Sequence, residues 1–139
     1  MRIELGDWAR LGAEATALRL AVFVVEQGVP EALELDEHDP LSLHALARDA
    51  AEQPLGTARL LPDGHIGRVA VARAARGAGI GAALMAALIG AARERGLAEV
   101  ALSAQTHALA FYERLGFVAE GGIYDDAGIP HRSMRLRLR

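Results

Sequence analysis

The sequence predicts a single α/β domain over residues 1–139, with a mixed central sheet of six to seven strands flanked by helices. Three observations carry that expectation. Segments with helical apolar spacing lie between short alternating ones, a Pro-Asp-Gly turn joins two of the strands, and a glycine-rich run sits where a strand gives way to the longest helix. At 52% hydrophobic positions the chain is too apolar to stay disordered, and its 139 residues can bury about two-thirds of the unfolded surface.

The elements follow in order. Residues 2–5 alternate, Ile3 and Leu5 against Arg2 and Glu4, and predict a first strand. From Glu14 to Glu26 the apolar Leu18, Ala21, Val22 and Val25 share one helical face, and Gly28 and Pro30 stop that helix. The acidic run from Glu31 to Asp39 reads as a loop. Leu43–Arg48, Leu55–Leu61 and Ile66–Ala72 read as strands. The last two form an antiparallel hairpin around Pro62-Asp63-Gly64, where Pro presets one backbone angle and Gly accepts a positive one.

Gly79–Arg95 is the longest helix, with Ile80, Leu84 and Leu88 on one side and Met85, Ile89 and Ala92 on an adjoining one. So broad an apolar surface implies burial against a sheet. Arg93 and Arg95 suit its negative end, and Gly96 its cap. Val100 and Leu102 mark a strand, Thr106–Leu115 a helix capped by Gly116, Phe117–Glu120 the beginning of another strand, and the alternating Met134–Arg139 the last strand. The order is β-α-β-β-β-α-β-α-β-β.

Composition removes whole classes of chemistry. Without cysteine there is no disulfide framework, thiolate nucleophile or cysteine-based metal site. All 15 cations are arginine, so lysine Schiff bases and the P-loop lysine are excluded as well. A net charge of -3 argues against a general nucleic-acid binder, which needs a basic surface. Met1-Arg2-Ile3-Glu4 meets an acid before any apolar run, so no signal peptide is expected. The weakly polar stretch from Ala78 to Ala92 is shorter than the roughly 20 residues of a membrane span. A soluble cytoplasmic domain is expected, without membrane or nucleic-acid partner and without a metal; a homodimer is compatible with it.

The most informative stretch is Arg76-Gly77-Ala78-Gly79-Ile80-Gly81-Ala82, between a strand and the long helix. Free N–H groups at a helix N-terminus hold phosphate, glycines let the backbone come close, and Arg76 adds a planar donor. Gly77 to Ala82 also fits the dinucleotide pattern G-x-G-x-x-G/A. Five residues separate Val71 from Gly77, however, and the next strand ends in Leu102-Ser103-Ala104-Gln105 without the ribose-binding acid. A third reading has the glycines merely packing helix against sheet.

Together these residues resemble the GNAT superfamily of acetyl-CoA-dependent N-acetyltransferases. Arg76 to Gly81 matches its Arg/Gln-x-x-Gly-x-Gly/Ala signature, and Ala108-Leu109-Ala110-Phe111-Tyr112-Glu113-Arg114-Leu115-Gly116-Phe117 looks like its second characteristic element. Val22 to Pro30 and Ala127-Gly128-Ile129-Pro130-His131 resemble the ElaA-like branch.

The resemblance implies direct transfer of an acetyl group from acetyl-CoA to a primary amine. It puts the pyrophosphate on Gly77, Ala78, Gly79, Ile80, Gly81 and Ala82, with Arg76 beside it. It runs the pantetheine arm along the backbone of Val69, Ala70 and Val71, and gives Gln105, where many relatives have Asn, a cofactor contact. Tyr112 resembles the family's general acid; the alternative is a core aromatic beside Phe111.

Candidates for the base are Glu26, Glu34, Asp36, Asp39, His44, His65 and His131, with ordered water as the alternative. The acidic segment would wall the acceptor cleft, so Glu34 and Asp36 are expected to attract a small amine, polyamine or peptide amine. Arg135, Arg137 and Arg139 read as a solvated face or edge protection. Two other classes stay open: a non-catalytic acyl-CoA-binding or sensing domain, and a nicotinamide-dependent oxidoreductase.

Overall fold

The computed structural model describes every residue except Glu34, and Leu33 through its backbone alone. The strands are β1 (Arg2–Gly6), β2 (Leu43–Arg48), β3 (Pro54–Leu60), β4 (Ile66–Val71), β5 (Glu99–Gln105), β6 (Val118–Asp126) and β7 (Ile129–Arg137). The helices are α1 (Trp8–Arg19), α2 (Ile80–Glu94) and α3 (Leu109–Arg114). The expected element order is found. The sheet divides into two antiparallel parts, β1-β2-β3-β4 and β5-β7-β6. They run parallel where they meet, through a bridge between His65 and Ala101 at the start of β4.

Small residues decide how the first sheet is covered. Ala45 and Ala47 of β2 and Ala58 of β3 join Leu84, Met85 and Leu88 of α2 in one buried cluster, while Leu46 of β2 packs with Leu11 and Leu18 of α1. Both faces of β2 are therefore buried, and the sheet is sandwiched between two helices. Gly56 of β3 belongs to the same fit: a Cβ there would stand 3.1 Å from Ala70 O, Ile80 Cγ2 and Leu84 Cδ1. Each of the large side chains this buries is worth about 1.5–3 kcal/mol.

The first helix begins earlier than its apolar spacing suggested. The Asp7 side chain accepts from the Arg10 N–H at 2.9 Å and caps α1 at Trp8. Beyond Arg19 the chain continues as a π-helical turn, Leu20–Glu26, in which Gln27 N donates to Val22 O at 3.1 Å. The last hairpin is also longer than expected. Gly121 and Gly122 do not end β6; they fall in an irregularity between Glu120 and Tyr124, and the strand resumes to Asp126. Ala127 and Gly128, both at positive φ, form the two-residue turn into β7.

Charged residues lock distant elements. Arg48 of β2 donates to Glu4 of β1 at 3.0 Å and to Glu14 of α1 at 2.7 and 2.8 Å. Arg135 is not at an edge. It sits on the central strand β7 and pairs with Glu99 of β5 and Glu120 of β6, which replaces the edge-protection reading for this residue.

Candidate active site

Among the described residues, the His65–Ala101 bridge is the one backbone pairing between the two sheets, and β4 carries an irregularity where it pairs with β3. Thr57 pairs with Ala70 and Arg59 with Gly67, so Arg68 and Val69 together oppose Ala58 in a bulge. Arg68 takes φ +51°, a left-handed conformation costing about 1–3 kcal/mol in a non-glycine residue. Strain of this kind collects beside functional sites, and a cavity of about 880 Å³ opens here.

Val69 and Val71 of β4, Leu102, Ser103 and Gln105 of β5, and Gly77, Gly79, Ile80, Gly81 and Ala82 of the loop and α2 line this cavity. Phe23 and Glu26 of the π-helical turn, and Gln27 just after it, line the cavity as well. Tyr112 of α3 and His131 of β7 also line it. Of the other expected cofactor residues, Ala78 is exposed outside the lining and the Ala70 side chain is buried in the core. A backbone role leaves both side chains free to do this.

The glycines divide by function. Gly77 and Gly79 have φ +84° and +78°, and a Cβ at either would meet nothing within 4 Å. Open space and left-handed backbone are what an approaching ligand needs, and packing does not account for them. Gly81 does have a packing role, since its Cβ would reach Phe111 at 3.3 Å. Ala83 N donates to Gly79 O in the first turn of α2, so the N–H groups of Ile80, Gly81 and Ala82 lack helical partners. The cradle thus fits a pyrophosphate.

Arg76 meets a partner the sequence could not disclose. Its Nε donates to Val71 O at 3.1 Å, and its two terminal nitrogens grip Glu26 at 2.5 and 2.7 Å. The guanidinium holds Glu26 well below the usual carboxylate range. Gln105 is likewise engaged, donating to Gln27 at 2.9 Å.

Tyr112 packs among core aromatics and also lines the cavity. Its ring packs edge-on with Phe111 at 4.9 Å and Phe117 at 6.1 Å. Burial pushes its phenol up to about 12, and the hydroxyl has no hydrogen-bond partner among the described residues. A half-buried phenol without a protein partner at a cavity wall is free to donate to a ligand.

The acidic segment is more than a solvated loop. Asp39 is buried against Arg19 at 2.8 Å and Arg59 at 2.8 Å. Asp36 binds Arg59 through both oxygens, at 2.6 and 2.9 Å, and Arg68 at 3.3 Å. The Arg59 guanidinium holds the Asp36 carboxyl down at about 2. Glu34 lies outside the described residues. His44 is buried away from the cavity, its Nε2 2.9 Å from Asp39 O, and desolvation lowers its pKa. His65 is exposed beside Asp63. Among the described residues, no group of three or more His, Asp or Glu side chains converges as metal ligands would. Nor is any helix long and apolar enough to cross a membrane.

Two antiparallel sheets joined by a single parallel bridge are incompatible with the parallel dinucleotide-binding fold. Residues 11–138 match the family described as Acetyltransferase (GNAT) domain, and the chain belongs to that family. It is 39% identical over 125 residues to the uncharacterized N-acetyltransferase YjcF of Bacillus subtilis, covering 87% of this chain and 89% of that protein. Among solved structures it resembles an acyl-CoA N-acyltransferase from Pseudomonas aeruginosa at 38% identity and TM-score 0.85, covering 96% and 97% of the two chains. ElaA of Escherichia coli aligns with TM-score 0.86 at 30% identity, over 97% and 99%.

Proposed function

We propose that the protein transfers an acetyl group from acetyl-CoA directly to a primary amine, and that it works in the cytoplasm, where acetyl-CoA is made. One observation carries this reading: the open glycine cradle at the N-terminus of α2 and the unpartnered Tyr112 hydroxyl face one cavity. When bound, acetyl-CoA supplies an activated thioester carbonyl. The free N–H groups of Ile80, Gly81 and Ala82 hold its pyrophosphate, and Val69, Ala70 and Val71 align its arm as an added strand.

Tyr112 donates to the sulfur as negative charge develops there. A phenol near 12 keeps its proton at any working pH, while an ordinary thiol loses its own near 8.5. Complete transfer is therefore uphill, and Tyr112 acts first as a hydrogen-bond donor. With no cysteine in the chain, the amine itself is the nucleophile.

The acceptor is a small amine, a polyamine or a peptide amine. Asp36 is already neutralised by Arg59 and Arg68, so it contributes little net attraction for a cation. Asp126, which lines the cavity, is better placed for that task.

The test is thiol release from acetyl-CoA, with spermidine, an alanine-terminated peptide and a lysine-containing peptide as acceptors. Amine-dependent release is the expected result. Tight CoA binding without release toward any amine would mark a sensing domain instead.

A further inference from the structure

Resting on the acetyl-transfer reading, we propose that His131 Nε2 is the base that takes the proton from the acceptor's ammonium group. His131 lies on β7, opposite Gln105 of β5 and Tyr124 of β6, and it lines the same cavity as Tyr112.

The geometry assigns the ring's tautomer. Nδ1 stands 2.7 Å from the carbonyl oxygen of Ile129. A carbonyl can only accept, so Nδ1 carries the hydrogen and the neutral ring keeps its lone pair on Nε2. Nε2 has no hydrogen-bond partner among the described residues, although the residue is only 9% exposed. The residue lines the cavity.

Tyr124 fixes the ring further. The two rings lie 26° from parallel with centroids 6.2 Å apart, and the Tyr124 hydroxyl is hydrogen-bonded to Ser103. The ionisable groups around the cavity are Asp126 at the end of β6, His107 after β5, Tyr112 on α3, Arg68 on β4, and the Glu26–Arg76 pair across from His131. Four other candidates are already engaged by protein groups. Glu26 is spent on Arg76, Asp36 on Arg59, Asp39 on Arg19 and Arg59, and His44 Nε2 on the Asp39 carbonyl.

The step balances without any further reactant. Nε2 takes one proton from the ammonium nitrogen, whose freed lone pair forms the C–N bond to the acyl carbon. The C–S bond breaks, and its electrons leave on sulfur, which is held by the Tyr112 hydrogen bond. The second proton of the nitrogen passes to that sulfur to give the thiol, and His131 returns its own proton to solvent.

His131→Asn separates this role from a structural one, because an Asn amide can still donate to Ile129 O but has nothing in place of Nε2. With spermidine or the peptide amines as acceptor, the variant should lose about 100-fold or more in kcat and lose the acid limb of the pH–rate profile. Its CoA affinity by calorimetry and its melting temperature should match the unaltered protein. Long-range ¹H–¹⁵N spectra of the free protein should show His131 as the Nδ1–H tautomer. An Nε2–H tautomer, or unchanged kcat with the acid limb retained, overturns the proposal alone. If the unaltered protein binds CoA but acetylates no amine, the transferase reading falls and this proposal falls with it.

Discussion

The Glu26 carboxylate grips both terminal nitrogens of Arg76, at 2.7 and 2.5 Å, and so fastens the π-helical turn after α1 to the loop that opens α2. The pair spans fifty residues of sequence and borders the anion cradle. On the proposed reading, an incoming pyrophosphate and Glu26 would compete for one guanidinium. Glu26→Gln should release Arg76 to the phosphate and tighten CoA binding by about 2- to 5-fold, the scale of a partly exposed ion pair. Calorimetric titration of CoA decides it. Weaker binding would show that the pair holds the loop open for the ligand.

Ala82 tests the cradle itself. A glutamate in the first turn of α2 suits the helix dipole, so the fold should persist, but its charge would face the phosphates. Ala82→Glu should weaken CoA at least about 10-fold with little change in melting temperature, and added salt should restore part of the loss. This substitution is cleaner than one at Gly79, where φ +78° would strain any side chain.

Tyr112→Phe keeps the edge-on packing with Phe111 and Phe117 and removes only the hydroxyl. Turnover should fall roughly 10- to 1,000-fold with CoA affinity unchanged. Because burial raises the phenol to about 12, its loss of a proton should produce no alkaline limb below about pH 11. An alkaline limb that vanishes in Tyr112→Phe would show a phenol far more acidic than its surroundings dictate.

Asp36 makes a prediction about stability. Its folded pKa, about 2, lies below the ordinary 3.8, so the stabilisation is complete above the unfolded value and disappears as pH falls through the folded one. Asp36→Asn should cost on the order of 1–2 kcal/mol at neutral pH, and the gap to the unaltered protein should close between about pH 4 and 2. Denaturant unfolding at several pH values measures it.

How far the sequence discloses these features follows from their range. The glycine run and Tyr112 belong to local patterns, so both were legible, and the cavity brings them together. The start of α1 was also local: Asp7 is a cap signal, but the Ala- and Gly-containing stretch after it has too weak an apolar stripe to mark the helix. Phe117–Glu120 marks only the start of β6, because pairing with β7 is what carries the strand on across an irregularity at Gly121 and Gly122. The partners of Arg76, Asp36 and Arg135 are set by tertiary approach over 50, 23, and 15 and 36 residues, beyond any single-sequence pattern. Those partners are also what revise the site, since they tie up Glu26 and Asp36, which the sequence offers as free carboxylates.

The most direct measurement is a backbone-amide NMR titration of the ¹⁵N-labelled protein with CoA. The account predicts shifts concentrated at Val69–Val71, Gly77–Ala82, Gln105 and Tyr112, with Arg135 and the far face of the second sheet unmoved. Saturating CoA that leaves the Gly77–Ala82 amides in place while moving residues elsewhere, or that moves nothing at all, would contradict it.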